Sequence, residues 1–379
     1  MTKRKNGSKG LFIEKQSTGV EIWQITTEEV PQSNIYCEVP YCSEDSHHFV
    51  YERRTGKDPL NPTEFVLVEM ATWEQRALAR SESLSGSAIT PDGRLYYVYR
   101  EDPDTRVLFR VKLPDGSPEA VYSFGDKIWW GSLGTVSSDH RFYVRSVRLG
   151  DSYDRFGIVL VDLSSGKEQV IDEDPFILNA HPQFDPGNAN RLLVQHNRGG
   201  QYDDKGKLLN LVGEEGATLY VLSVPGGERT ELPVGKPFTT PCTGHEAWAG
   251  TAGEVILSVA ASGNFAPEKG NLLGVFPGQE EARIVAKGFR ANHVGLSRCG
   301  RYFCVDDWRD TYKLFVGSVR TGKTALLCES FTQPNRKQNS HPHAYLTPDL
   351  QWALFNSNRS GFSHIYAAKV PEGMLEGLL

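Results

Sequence analysis

The stretch TPDG at residues 90–93, lying between two hydrophobic runs, decides the fold because it recurs. Proline presets φ, aspartate bonds back to the local backbone and glycine accepts a positive φ, so the tetrapeptide reads as a tight turn. Versions of it stand at SEDS 43–46, SSDH 137–140 and FDPG 184–187, and more loosely at GTAGE 250–254, SRCG 297–300 and TPDL 347–350. The intervals between them are 47, 47, 47, 66, 47 and 50 residues. After each turn comes a second marker, a strand-like run leading into another turn: FVLVEMATWEQ from Phe65, VLFRVKLPDGS from Val107, GIVLVDLSSGK from Gly157, TLYVLSVPGGE from Thr218, NLLGVFPGQEE from Asn271 and KLFVGSVRTGK from Lys313. The chain finishes on HIYAAKVPEG, from His364.

An antiparallel four-stranded unit of this length, repeated radially, is a β-propeller blade. Seven turns predict an all-β, seven-bladed propeller. The early run TGVEIWQIT, residues 18–26, reads as the outer strand that the last blade lacks, so the N-terminal strand is expected to close the ring and cover sheet edges. Residues 11–379 are read as one propeller domain, and 1–10, MTKRKNGSKG, as a disordered basic tail without the apolar segment of a signal peptide.

Composition narrows the partners. With 23% charged and 39% hydrophobic residues, the chain has ample material for a core. A net charge of −6 argues against nucleic-acid binding. No apolar run approaches the roughly 18 residues of a membrane span. The six cysteines form no CxxC pair, which points to reduced thiols and a cytoplasmic location.

The 66-residue interval contains an insertion, GGQYDDKGKLLNLVGEEGA at 199–217, between the second and third strands of its unit. A long loop there is expected on the face where each innermost strand begins, and reads as a flap restricting access to a site.

On that face histidines fall into register. Three residues before the apolar residues Phe184, Trp248, Leu296 and Leu346 stand His181, His245, His293 and His343. The earlier units have Gly86 and Leu133 at this place. His341 and His343, spaced i, i+2, are expected on one side of an extended strand, with Gln338 just upstream. Two readings fit such a convergence, a buried histidine network and a metal site. For the second, His293, Gln338, His341 and His343 make a neutral set suited to Mn, Fe, Co, Ni or Zn rather than calcium. Arginines end the second strand of several units (Arg53 or Arg54, Arg100, Arg148, Arg198, Arg309, Arg359), a basic collar that favours a carboxylate-bearing ligand.

The motifs HPQFDP at 181–186, CTGHEAW at 242–248, NHVG at 292–295, QNSHPHAYLTPD at 338–349 and FNSNRSGFSHIY at 355–366 resemble those of the oligogalacturonate lyases. The likeness is strongest in the second half of the chain. It implies a seven-bladed propeller that cleaves short, anionic oligogalacturonides in the cytoplasm by metal-assisted β-elimination. It further implies manganese ligands at His293, Gln338, His341 and His343, and the general base at His245. His181, Arg198, Arg290, Arg359 and Tyr345 are then expected to face substrate, with Tyr345 or water as the acid for the leaving oxygen. The sequence departs from the family where an arginine is expected at the start of a third strand, because Thr218 and Leu219 stand there, and at Gly244 within CTGHEAW. Arg198 or Arg290 is the expected substitute.

Two rivals share the scaffold. A glycosidase needs two flanking carboxylates, and only the adjacent Asp306 and Asp307 stand out. A noncatalytic binding propeller of the TolB or WD-repeat kind uses the same turns without a metal, and fold alone does not separate it.

Overall fold

The computed structural model describes residues 10–55, 63–81, 86–102, 105–125, 129–307, 309–333 and 340–379. Gln338 and the basic tail up to residue 9 lie outside the described residues. The described residues are all-β, with two 3-10 turns, Gly263–Phe265 and Glu376–Leu378.

Antiparallel sheets follow one another along the chain, spanning residues 32–81, 88–125, 129–173, 183–231, 242–286, 294–329 and 345–369. A single pairing, Ala217 with Cys242, joins the fourth and fifth. The sheet at 129–173 shows why these sequences form strands. Its third strand, Phe156–Asp162, is buried almost throughout because both faces are covered. Its outer strand, Lys167–Glu173, is charged and largely solvent-facing.

Four of the seven predicted turns are built by one device. A Ser or Thr hydroxyl donates to an Asp carboxylate two residues on: Ser43 to Asp45 at 2.6 Å, Thr90 to Asp92 at 2.5 Å, Ser137 to Asp139 at 2.5 Å and Thr347 to Asp349 at 2.6 Å. These local bonds compete with strand continuation and end it.

The core lies between sheets. Phe142, Val144 and Ile158 pack against Leu192, Val194 and Tyr220 of the following sheet. Phe49 and Tyr51 of the first sheet pack against Leu354 and Ile365 of the last. The last sheet also receives the N-terminal segment. Glu21–Gln24 pairs with His364–Lys369 through Ile22–Ala368, Trp23–Ala367 and Gln24–Tyr366, and Leu11–Lys15 adds outside it. This pairing is the one expected of residues 18–26. The cysteines are free thiols, all buried except Cys299.

The insertion forms a small hairpin, Gln201–Tyr202 with Leu208–Asn210, between Asn188–Arg198 and Gly216–Ser223 as the sequence predicts. It leans on the preceding sheet, with the Tyr202 ring 6.4 Å from Tyr153 and 6.0 Å from Phe156.

Candidate functional site

First strands of successive sheets adjoin one another around a channel, and the register histidines stand just ahead of them or within them. The ring of His293 lies 5.0 Å from that of His341 and 4.5 Å from that of His343, centroid to centroid. One ligand nitrogen from each of these three residues lies within 4.8 Å of the other two. His245 lies beside them, its ring 4.2 Å from His293 and tilted by 59°. Burial and mutual repulsion hold His245, His293 and His343 well below the ordinary histidine range, and His341 is lowered for the same first reason, burial. At neutral pH these imidazoles are therefore uncharged, the state in which nitrogen lone pairs accept a metal or a proton.

Local backbone geometry aims each ring. His341 and His343 precede the strand Tyr345–Leu346, and His343 has φ 43°, in the left-handed region. The extended-strand expectation for this pair is thus corrected: a backbone reversal brings the two rings to 5.4 Å, not strand alternation. The peptide of Asn356 clamps the segment, its side-chain amide donating to the His341 carbonyl at 3.0 Å. His245 lies where the pairing of Cys242–Trp248 with Val255–Val259 shifts register between Cys242 and Glu246. Such a bulge re-aims a side chain. Gly244, at φ 83°, supplies the conformation, and a β-carbon there would crowd the Gln195 amide at 3.0 Å. The departure at Gly244 thereby has a structural role.

Buried carboxylates steady two of the imidazoles. Asp306 Oδ2 shares a hydrogen bond with His293 Nδ1 at 2.7 Å, and burial pushes the Asp306 pKa up to about 8. Glu38 lies 3.2 Å from His181 Nδ1. Burial opposes charge on His181, but the Glu38 hydrogen bond and charge outweigh it and raise the pKa. The Tyr36 ring wedges between His181, at 5.4 Å, and His343, at 4.6 Å. Arg309 acts on His245, His293 and His341 through its positive charge, lowering each further. Beside Glu38 and Pro182 the channel continues as a cavity of about 280 Å³, lined by Tyr41, Leu133, Phe184 and Trp248.

The other expected residues are placed differently. Arg198 donates to the carbonyls of Gly216 at 3.0 Å, Glu215 at 3.1 Å and Lys236 at 2.9 Å, clamping the base of the insertion. Arg290 pairs with Asp310 at 3.2 Å. Arg359 pairs with Glu14 at 2.7 Å and lies over the Phe331 ring. Tyr345 is fully buried in the core cluster with Phe49, Trp73 and Leu354, which corrects its expected substrate-facing position. Sequence reading missed Tyr36 and Glu38 and took Asp306 only as half of an acidic pair. The adjacency of Glu38 to the first recurring turn was the available signal, and its partner His181 lies 143 residues away.

No family model matches the chain. Among curated relatives, it is 24% identical to the oligogalacturonide lyase of Pectobacterium atrosepticum, over 78% of this chain and 79% of that protein. It is likewise 24% identical to the oligogalacturonate lyase of Dickeya dadantii, over 94% and 95% respectively. A solved structure of an oligogalacturonate lyase in complex with manganese superposes with a TM-score of 0.76 at 19% identity, covering 99% of this chain and all of that one. The β-propeller domain of the trilobed protease from Pyrococcus furiosus matches more distantly, with a TM-score of 0.50 at 10% identity over 88% of this chain and 94% of that one. The motifs around the channel histidines, the alignments along nearly the whole chain and the shared fold thus agree that this protein resembles the oligogalacturonate lyase family.

Proposed function

We propose that the protein is a lyase that cleaves short oligogalacturonides by β-elimination, with His245 as the base. The observation carrying this reading is the cluster of His293, His341 and His343, with a fourth neutral imidazole, His245, against it. The scaffold is read as a seven-bladed propeller forming one domain over residues 11–379, closed by the N-terminal strand, in a cytoplasmic enzyme. The sheet order, the core clusters between neighbouring sheets and the pairing of Ile22 with Ala368 support that reading.

The donor set fits a divalent transition ion such as manganese. Three imidazoles offer nitrogens within 4.8 Å of one another, burial keeps them unprotonated, and Asp306 orients one of them as a carboxylate behind a ligand histidine does. His293, His341 and His343 would hold the ion, with Gln338 as a further ligand. Bound there, a divalent ion supplies Lewis-acid stabilisation for the negative charge that develops on the uronate carboxylate. His245 then removes the proton from carbon 5, next to that carboxylate, and the glycosidic oxygen departs from carbon 4. His245 suits the task because it is neutral and touches the cluster; Thr243 Oγ1, 3.1 Å from its Nδ1, fixes the ring. With a carboxylate substrate, Arg309, whose charge reaches the histidines, draws the ligand in. The hairpin within 199–217 limits access for long chains.

Product mass tests the reaction class. The manganese-loaded protein incubated with digalacturonate is expected to give fragments whose masses sum to that of the substrate, one of them unsaturated. Fragments heavier in sum by one water would make the protein a hydrolase.

A further inference from the structure

Elimination needs a proton for the oxygen that leaves carbon 4 as well as a base for carbon 5. With Tyr345 sealed in the core, the residue expected to supply that proton is absent from the site. One histidine of the register differs from the rest. His181 and His293 each bond to a buried carboxylate, but only His181 is raised by its partner, whereas burial and the charges of their neighbours lower His245, His293 and His343.

We propose that His181, held by Glu38, is the catalytic acid that protonates the departing glycosidic oxygen. The inference rests on the lyase reading above. Glu38 engages His181 Nδ1 at 3.2 Å, which leaves Nε2 as the nitrogen to meet a substrate. Both partners are anchored: the Glu38 side chain is 8% exposed, and His181 is fixed in the left-handed region at φ 41°. Non-glycine residues adopt that conformation infrequently. The Tyr36 ring contacts both His181, at 5.4 Å, and His343, at 4.6 Å. The groups facing His181 are Glu38, Tyr36 and, through space, Glu246; His181 in turn is felt by His245 and His343. Burial opposes the imidazolium, the Glu38 hydrogen bond and charge favour it and raise the His181 pKa, and burial pushes the Glu246 carboxyl up to about 8. Glu246 is fully buried, and its carboxyl oxygens have no hydrogen-bond partner among the described residues.

The step balances. His245 takes the carbon 5 proton, and that electron pair forms the C4–C5 double bond. The C4–O bond breaks with its pair on oxygen, and His181 Nε2 gives its proton to that oxygen. His245 then releases a proton to water and His181 regains one, so neither protons nor electrons are gained or lost overall.

The test compares two leaving groups on the manganese-loaded protein. Digalacturonate expels a sugar alkoxide and needs an acid; a galacturonide carrying 4-nitrophenolate at carbon 4 does not. His181→Gln is expected to lower kcat on digalacturonate by about 10²–10³-fold and on the nitrophenolate substrate by less than about tenfold. Glu38→Gln, which keeps the shape and a hydrogen bond, is expected to lower the first rate by about tenfold. It should also move the alkaline limb of kcat to lower pH, because the protonated acid is lost sooner once the carboxylate is gone. Equal losses on both substrates, or none, would overturn the assignment. Wild-type turnover is the control: if wild-type protein does not eliminate digalacturonate, the lyase reading fails and takes this inference with it, whereas wild-type turnover with equal losses removes only the acid.

Discussion

Val39, Gly86 and Leu133 occupy the place in the first three repeats that His245, His293 and His343 occupy in the last three. The scaffold is the same on both sides of the channel, and so in part is the backbone: Gly86 has φ 57° where His343 has 43°. What differs is what the position is asked to do. At Gly86 the carbonyl accepts from the Tyr143 hydroxyl at 2.7 Å, and a β-carbon would strike that hydroxyl and the Arg145 guanidinium. At His343 the same turn carries an imidazole into a cluster that repels protons. One side of the repeat therefore spends this conformation on packing and the other on chemistry.

Mutations on the two sides should separate those roles. The largest effect is expected from His245→Ala, which should lower kcat by about 10²–10⁴-fold while bound manganese, measured by elemental analysis, stays stoichiometric. Loss of metal from that variant would make His245 a ligand rather than a base. Next, His341→Ala and His343→Ala should each lose the metal with the circular-dichroism spectrum unchanged, since inter-sheet packing holds the fold; retained metal in both would break the contrast. Asp306→Asn should weaken manganese affinity by roughly 10–100-fold, because the carboxylate orients a ligand without being one. On the packing side, Gly86→Ala should lower unfolding free energy by about 1–3 kcal/mol in denaturant titration without altering metal content. A change in metal affinity there would show the two sides to be coupled. The smallest effect is expected from trimming the 199–217 hairpin, a few-fold gain on longer oligomers relative to the dimer, checked by product profiles across chain lengths.

Much of this arrangement was legible because it is periodic. Recurring turns fall mostly 47 residues apart, and Ser43, Thr90, Ser137 and Thr347 announce four of them by a local hydroxyl-to-carboxylate bond. The histidine register followed from the same alignment. What failed was reasoning that assumed strand alternation beyond the strand. Tyr345 sits two residues after His343, but the left-handed backbone at His343 cancels that rule and sends the ring into the core. The arginines misled for another reason. Sequence shows where a guanidinium starts, whereas its partners are set by tertiary contact: Arg359 finds Glu14, 345 residues away. Glu38 and His181 were hidden likewise, as neither belongs to a local motif with the other.

The pairing of Glu21–Gln24 with His364–Lys369 also governs when the protein can finish folding. Ile22 is made well before its partner Ala368. At about 5–20 residues per second, the N-terminal segment waits tens of seconds or more with its backbone unpaired. During that time Phe12, Ile22 and Trp23 have no sheet to join, and an early strand from another nascent chain could take the place at His364–Lys369. A strand pairing so distant in sequence makes strand exchange between chains the characteristic hazard of its biogenesis.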